Sequence, residues 1–183
     1  MDSSTTAPIT VWDSGTVLSF ATGTNDILVL PRTGLSSLDD IVRTGRVHEY
    51  YSTVRRDTVA REVRFGFGEL CIQSAKLATD IVGLTTSFLG QFGQREANLR
   101  IEITRKQSCP NFHCDNVNIR LVTTFAGPTT EYQYAGEDST HTAPLRALVF
   151  LKGHRHRTHQ NSVHHRSPEI PNDEKRLCVA IDF

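Results

Sequence analysis

Several things are scarce in this sequence. No apolar run approaches the roughly 20 residues that a membrane span needs. The first ten residues, M-D-S-S-T-T-A-P-I-T, lack the basic start and apolar stretch of a signal peptide. The expected location is therefore the cytoplasm. Net charge is missing as well, because Lys plus Arg and Asp plus Glu balance at 20 each. A neutral chain has no global field to draw in nucleic acid or an anionic membrane, so neither is expected as a partner. There are only 4 cysteines, Cys71, Cys109, Cys114 and Cys178, and none forms C-x-x-C. A reducing cytosol would keep them as thiols. No G-x-S-x-G occurs, and nothing in the sequence around Cys114 signals an activated thiol. That disfavours a serine or cysteine hydrolase.

What is present suits an ordinary soluble protein. With 183 residues, 38% apolar and 22% charged, the chain is long enough for one domain and short for two. The expected organisation is a single domain over 1–183. Within it, residues 1–10 are expected to be disordered, 35–92 to be largely helical, and 99–183 to be rich in strands.

N-D-I-L-V-L-P-R (25–32) reads as a short strand stopped at Pro31. L-S-S-L-D-D-I-V-R (35–43) has Leu35, Leu38 and Val42 at helical spacing. The clearest helix is expected over 70–92, where Leu70, Leu77, Ile81, Leu84 and Phe88 form one apolar stripe. Then the pattern changes. L-R-I-E-I-T (99–104) and V-N-I-R-L-V-T-T-F (117–125) alternate as half-buried strands do, and A-G-P (126–128) signals a turn. T-E-Y-Q-Y (130–134), R-A-L-V-F-L (146–151) and R-L-C-V-A-I-D-F (176–183) are further strands, with loops over 135–144 and 152–162. Helices first and short strands later point to an α+β fold whose sheet half is a sandwich or barrel.

Six of the eight histidines fall between 141 and 165, and a seventh is His113. His113 and Asp115 are two apart in C-P-N-F-H-C-D-N-V-N-I-R (109–120). On extended backbone both face one side and can share an ion, while Cys114 faces the other. An isolated H-x-D is a weak signal, but a second histidine group follows in N-S-V-H-H-R-S-P (161–168). His164 and His165 would face opposite sides of a strand, so only one can complete the site. Two histidines and a carboxylate make the facial triad of non-haem Fe(II) oxygenases. Arg176 opens a later strand. It either grips a carboxylate with two parallel hydrogen bonds or pairs at the surface with Asp173 or Glu174.

H-C-D (113–115), a distal His165 and Arg176 resemble the pattern of Fe(II)/2-oxoglutarate-dependent dioxygenases. The resemblance implies a double-stranded β-helix, a jelly-roll and cupin-like cup with N-terminal helices packed against it. It also implies iron on His113, Asp115 and His165, and Arg176 on the distal carboxylate of 2-oxoglutarate. The activity implied is hydroxylation of a small-molecule or protein substrate. L-R-I-E (99–102), residues 109–132, L-K-G (151–153), H-R-S-P (165–168) and R-L-C-V-A-I-D (176–182) are also similar to a bacterial family that carries only a domain-of-unknown-function label. That likeness favours His165 over His164. Asn116, Arg120, Glu131 and Tyr132 are the candidates for polar groups that orient the ligands, with strand-surface or structural bonding as the alternative.

K-G-H-R-H-R-T-H (152–159) is basic and rich in imidazole. It reads as an anion contact, as a solvated loop, or as a weaker metal site from His154, His156 and His159. The main rival to an oxygenase is therefore a non-catalytic zinc-binding or metal-handling protein. It would use Cys109, His113, Cys114 and the later histidines as Zn²⁺ ligands. A cupin-like binding module without redox turnover is a second rival.

Overall fold

A computed structural model describes residues 11–33 and 38–183. The expected disorder of 1–10 and the helical position of Leu35 fall outside the described residues. Asp13 caps the first helix, α1 (Ser14–Thr22), its carboxylate accepting from the Thr16 N–H. A strand, β1 (Ile27–Leu30), and a short helix, α2 (Asp39–Thr44), follow. Next comes β2 (His48–Val54), a strand inside the segment expected to be largely helical.

The helix expected over 70–92 is present as α4 (Ala75–Gln91) and begins five residues later than expected. A separate helix, α3 (Val59–Glu69), precedes it and ends at Leu70, after which Cys71 takes a left-handed φ of 54°. Ser74 restarts the chain as the cap of α4 (Ala75–Gln91), accepting from the Leu77 N–H. The apolar stripe survives the break, since Leu70, Leu77, Ile81, Leu84 and Phe88 are all fully buried.

The remaining elements are strands: β3 (Ala97–Thr104), β4 (Ile119–Ala126), β5 (Glu131–Tyr134), β6 (His141–Thr142), β7 (Leu148–Lys152), β8 (Val163–Arg166) and β9 (Arg176–Asp182). The two-residue β6 lies inside the stretch expected to be loop. Strands pair antiparallel into a six-stranded sheet, in the order β1-β7-β4-β9-β3-β2, and a three-stranded sheet, β6-β5-β8. The fold is thus mixed α and β, dominated by antiparallel sheet. Among the described residues, no helix is long and apolar enough to cross a membrane.

Alternation gives the large sheet two interiors. Leu99, Ile101, Leu121, Phe150, Val179 and Ile181 join Phe88 and Leu84 in the main core. Val122, Val149, Leu151, Cys178 and Ala180 form a smaller apolar cluster on the other face, together with Ala143 from beside the small sheet. Arg100, Arg120 and Arg176 share that second face with Cys178 and Ala180, and it is there that the histidines arrive.

Candidate metal centre

Two backbone hydrogen bonds close the site. The His113 N–H donates to the His165 carbonyl at 3.0 Å, and the His165 N–H donates back to His113 at 2.9 Å. This single antiparallel bridge sets the two residues opposite each other, with ring centroids 4.6 Å apart. Along β8 burial alternates, so His165 is 8% exposed while His164 turns to the other side. The alternation brings His165, rather than His164, beside His113.

Asp115 enters from the same side as His113. Its Oδ1 lies 3.6 Å from His113 Nε2, and its Oδ2 lies 3.2 Å from His165 Nε2. The ligand atoms of all three lie within 4.8 Å of one another. Two cis ligands at roughly 2.1 Å from a common ion are about 3 Å apart, so the cluster has the span of a metal site.

The protonation state suits a cation. Burial pushes the Asp115 carboxyl up, but His165, Arg120 and His113 outweigh it and hold the group down at about 2. Burial also pushes His165 down, against the pull of Asp115, which favours the neutral imidazole. His113 Nδ1 lies 2.9 Å from the Asn111 carbonyl, and a proton donated there leaves the Nε2 lone pair facing Asp115. Arg120 holds Asp115 Oδ1 at 2.7 Å and grips Asp182 with Nε and Nη2 at 2.9 and 2.6 Å. Asp115 Oδ2 is buried 3.2 Å from His165 Nε2 without a well-formed hydrogen bond.

Arg176 is 3% exposed and faces the same cleft. Nε donates to the Pro128 carbonyl at 3.0 Å, and Nη2 donates to Thr124 Oγ1 and Thr130 Oγ1 at 3.1 Å. Among the described residues, Nη1 has no hydrogen-bond partner and no carboxylate lies within ion-pair reach. The alternative pairing with Asp173 or Glu174 does not form. The cleft is narrow, about 70 Å³, and also reaches Arg100, Cys109, Arg166 and Ser167. A larger hollow of about 840 Å³ beside His48, Tyr51 and Phe65 lacks a convergent ligand set among the described residues.

The other expected residues divide. Arg120 touches the cluster directly. Asn116 is exposed and makes no side-chain hydrogen bond among the described residues. Glu131 accepts from Arg166 Nε at 2.6 Å and lines a neighbouring hollow rather than the cleft. Tyr132 sits opposite His165 in the strand register, and its ring stacks on His141 with centroids 5.2 Å apart.

Cys114 points away from the triad, as expected of extended backbone. Its Sγ lies 3.7 Å from His159 Nε2 and 3.5 Å from the Lys152 carbonyl. The four-ligand set of Cys109, His113 and Cys114 with later histidines is therefore not assembled. Burial and the nearby Asp115 and Asp26 push the Cys114 thiol up to about 11, far from an activated nucleophile. His156 is not grouped with His154 and His159; its Nδ1 accepts from the Thr158 N–H instead. Lys152 is buried, donating to the Gly23 carbonyl and Thr158 Oγ1 at 2.7 Å each, so it is no surface anion contact. Arg100 and Asp26 were not expected at any site. A charged residue in a half-buried strand reads as solvent-facing, and nothing in the sequence reports a second buried face.

No curated protein matches the chain. Among solved structures, similar ones include JOX2 in complex with 2OG, Fe and JA, at 13% identity and TM-score 0.45, covering 91% of this chain and 70% of that one. Another is the viral collagen prolyl hydroxylase of Paramecium bursaria Chlorella virus-1 as a 2OG complex, at 10% identity and TM-score 0.40, covering 73% and 94%. A third is hydroxypropylphosphonic acid epoxidase from S. wedmorenis, at 12% identity and TM-score 0.32, covering 48% and 42%. Residues 35–182, well over half of the chain, match the family described as protein of unknown function (DUF1826), and the chain belongs to that family.

Proposed function

We propose that this protein is a metal-dependent oxygenase. In this reading Fe(II) is held by His113, Asp115 and His165, and 2-oxoglutarate is the co-substrate. Its substrate is a small molecule or a protein. The two facing sheets are read as the double-stranded β-helix that the H-x-D…H…R resemblance implies.

One observation carries the reading. A buried, ionised carboxylate and two imidazoles drawn from distant segments bring their ligand atoms within 4.8 Å of one another, and Asp115 Oδ2, 3.2 Å from His165 Nε2, makes no aligned hydrogen bond. A buried carboxylate oxygen without a partner is costly, and a cation at that point relieves the cost. Two nitrogens and one oxygen suit Fe(II), and three protein ligands leave open positions. An Fe(II) held by these three residues would supply the oxidative chemistry in which 2-oxoglutarate takes one oxygen atom of O₂ to give succinate and CO₂ and the substrate takes the other.

The chain's own part is orientation. Asn111 fixes the His113 tautomer, and Arg120 fixes Asp115 by holding the oxygen that faces His113. Arg176 is held rigidly through Nε and Nη2, with Nη1 left to receive a carboxylate. Val122, Cys178 and Ala180 form an apolar floor that limits water. As it stands the cleft has room for a few waters. A dicarboxylate bound at Arg176 would displace them.

The test is anaerobic Fe(II) loading followed by exposure to 2-oxoglutarate and air. Slow succinate formation without any added substrate is the expected result. Tight Fe(II) binding with no succinate at all would leave a cupin-like metal-binding module and defeat the oxygenase reading.

A further inference from the structure

Behind the triad lies a second cluster that the oxygenase reading does not use. We infer that Cys114, His154 and His159 form a separate thiolate–imidazole site for Zn²⁺. The site clamps the 152–159 loop to the H-x-D segment.

The ligand atoms of these three residues lie within 4.8 Å of one another. Tetrahedral zinc, with Zn–S near 2.3 Å and Zn–N near 2.0–2.1 Å, sets sulfur and nitrogen about 3.6 Å apart. Cys114 Sγ and His159 Nε2 are 3.7 Å apart. The His154 ring meets the His159 ring edge-on, with centroids 5.1 Å apart, and closes the third side from the exposed end of the loop. One soft and two borderline ligands favour zinc over a hard cation. The fourth position faces the solvent beside His154 and suits water.

A second observation points the same way. His159 Nδ1 is buried with no hydrogen-bond partner, yet it lies 3.4 Å from Asp26 Oδ1. Asp26 is 2% exposed and itself fixed, accepting from the Gln160 and Ser162 N–H groups and from Ser162 Oγ. A buried carboxylate behind one imidazole nitrogen, with a thiol before the other, is the arrangement that orients metal-binding histidines. A small rotation of the ring on metal capture turns the Asp26 approach into a hydrogen bond.

The backbone is already prepared. The His154 N–H donates to the Asp115 carbonyl at 2.8 Å, and the Arg155 N–H donates to Val117 at 3.1 Å. Gly153 lies so near that a β-carbon there would collide with the Asp115 and Val117 carbonyls. Coordination therefore costs little further ordering of the loop.

Co²⁺ titration of the full chain tests the inference, because a thiolate ligand gives cobalt a sulfur-to-metal charge-transfer band and the triad has no sulfur. The wild type is expected to show the band. Cys114→Ser should abolish it, whereas Cys109→Ser and Asp115→Ala should keep it. His154→Ala, at an exposed position that does not threaten folding, should weaken the cobalt affinity of this band at least tenfold. Asp26→Asn should weaken it roughly 10- to 100-fold. The inference is overturned by no band in the wild type at saturating Co²⁺. It is equally overturned by a band that survives Cys114→Ser, or by a cobalt affinity that His154→Ala leaves unchanged. Failure of the succinate assay does not bear on these outcomes, so the two readings stand or fall separately.

Discussion

His113 and His165 hold each other by the backbone before any metal arrives, through reciprocal hydrogen bonds of 3.0 and 2.9 Å. The bridge links a loop residue to a residue of β8, and so ties the H-x-D segment to the small sheet. Two of the three proposed ligands are thereby fixed in the fold, and Asp115 completes the set.

Asp115→Ala should therefore remove the triad's affinity for Fe(II) while leaving the fold in place. Arg120 would lose one carboxylate but keep Asp182. Saturation at 100 times the dissociation constant adds about 2.7 kcal/mol to the stability of a protein that binds its ligand only when folded. Anaerobic Fe(II) should raise the melting temperature of Cys114→Ser, in which the second site is disabled, and leave that of Cys114→Ser/Asp115→Ala unmoved. An equal rise in both would remove Asp115 from the site.

Arg176→Lys separates the co-substrate from the metal. Lysine keeps the charge but not the planar fork that reaches Pro128, Thr124 and Thr130 at once. The concentration of 2-oxoglutarate needed for half-maximal succinate formation should rise roughly 10- to 100-fold, or about 1.4–2.8 kcal/mol. Fe(II) affinity should stay within about twofold, since Arg176 touches none of the three ligands. A parallel loss of iron would show that Arg176 is structural only.

Two glycines should respond in opposite directions to alanine. At Gly153 the new methyl meets the carbonyls of Asp115 and Val117, and the backbone has to move. The expected loss is about 1–3 kcal/mol. At Gly83, in the middle of α4, the nearest side-chain atom is Val11 Cγ2 at 3.8 Å. Alanine there should stabilise by about 0.5–1 kcal/mol, through helix propensity and a less flexible unfolded chain. Urea midpoints of the two variants measure both effects.

Asp26 ties stability to acid. Burial raises its pKa, but the Ser162 and Gln160 N–H groups, the Ser162 hydroxyl and His159 outweigh burial and leave it below the ordinary 3.8. The folded chain thus holds this carboxylate deprotonated more strongly than the unfolded chain does. Its contribution is complete above the unfolded value and is lost as the pH falls through the folded one. Asp26→Asn should cost about 1–3 kcal/mol at neutral pH and flatten the stability profile below pH 3.8. A profile of unchanged shape would mean that Asp26 titrates alike in both states.

The triad residues were legible because their signal is local. Two-residue spacing puts His113 and Asp115 on one side whenever the backbone is extended, and alternation in V-H-H-R leaves only one histidine for that side. The strand β2 was not legible. Its residues H-E-Y-Y-S-T-V are mostly exposed, because it is an edge strand paired only with β3. The break before α4 was hidden by phase. Leu70 and Leu77 are seven residues apart, a spacing that fits one helical face in the sequence although the backbone between them is broken at Cys71. Asp26 was invisible for another reason. Its partners lie more than 130 residues away, and they are mainly backbone N–H groups, which carry no residue signature.

Arg120 joins Asp115 to Asp182, and Asn98 Nδ2 donates to the other oxygen of Asp182 at 3.0 Å. Asp182 ends β9, which lies between β4 and β3 in the large sheet. Through this chain of contacts the proposed iron ligand is moored to β9, which follows all of its sheet neighbours in chain order. A nascent chain that has not yet reached β9 would carry both histidines and the aspartate, yet the aspartate would lack its anchor. The triad's competence to capture metal should therefore appear only as β9 inserts between its neighbours, and it would serve as a chemical report of that insertion.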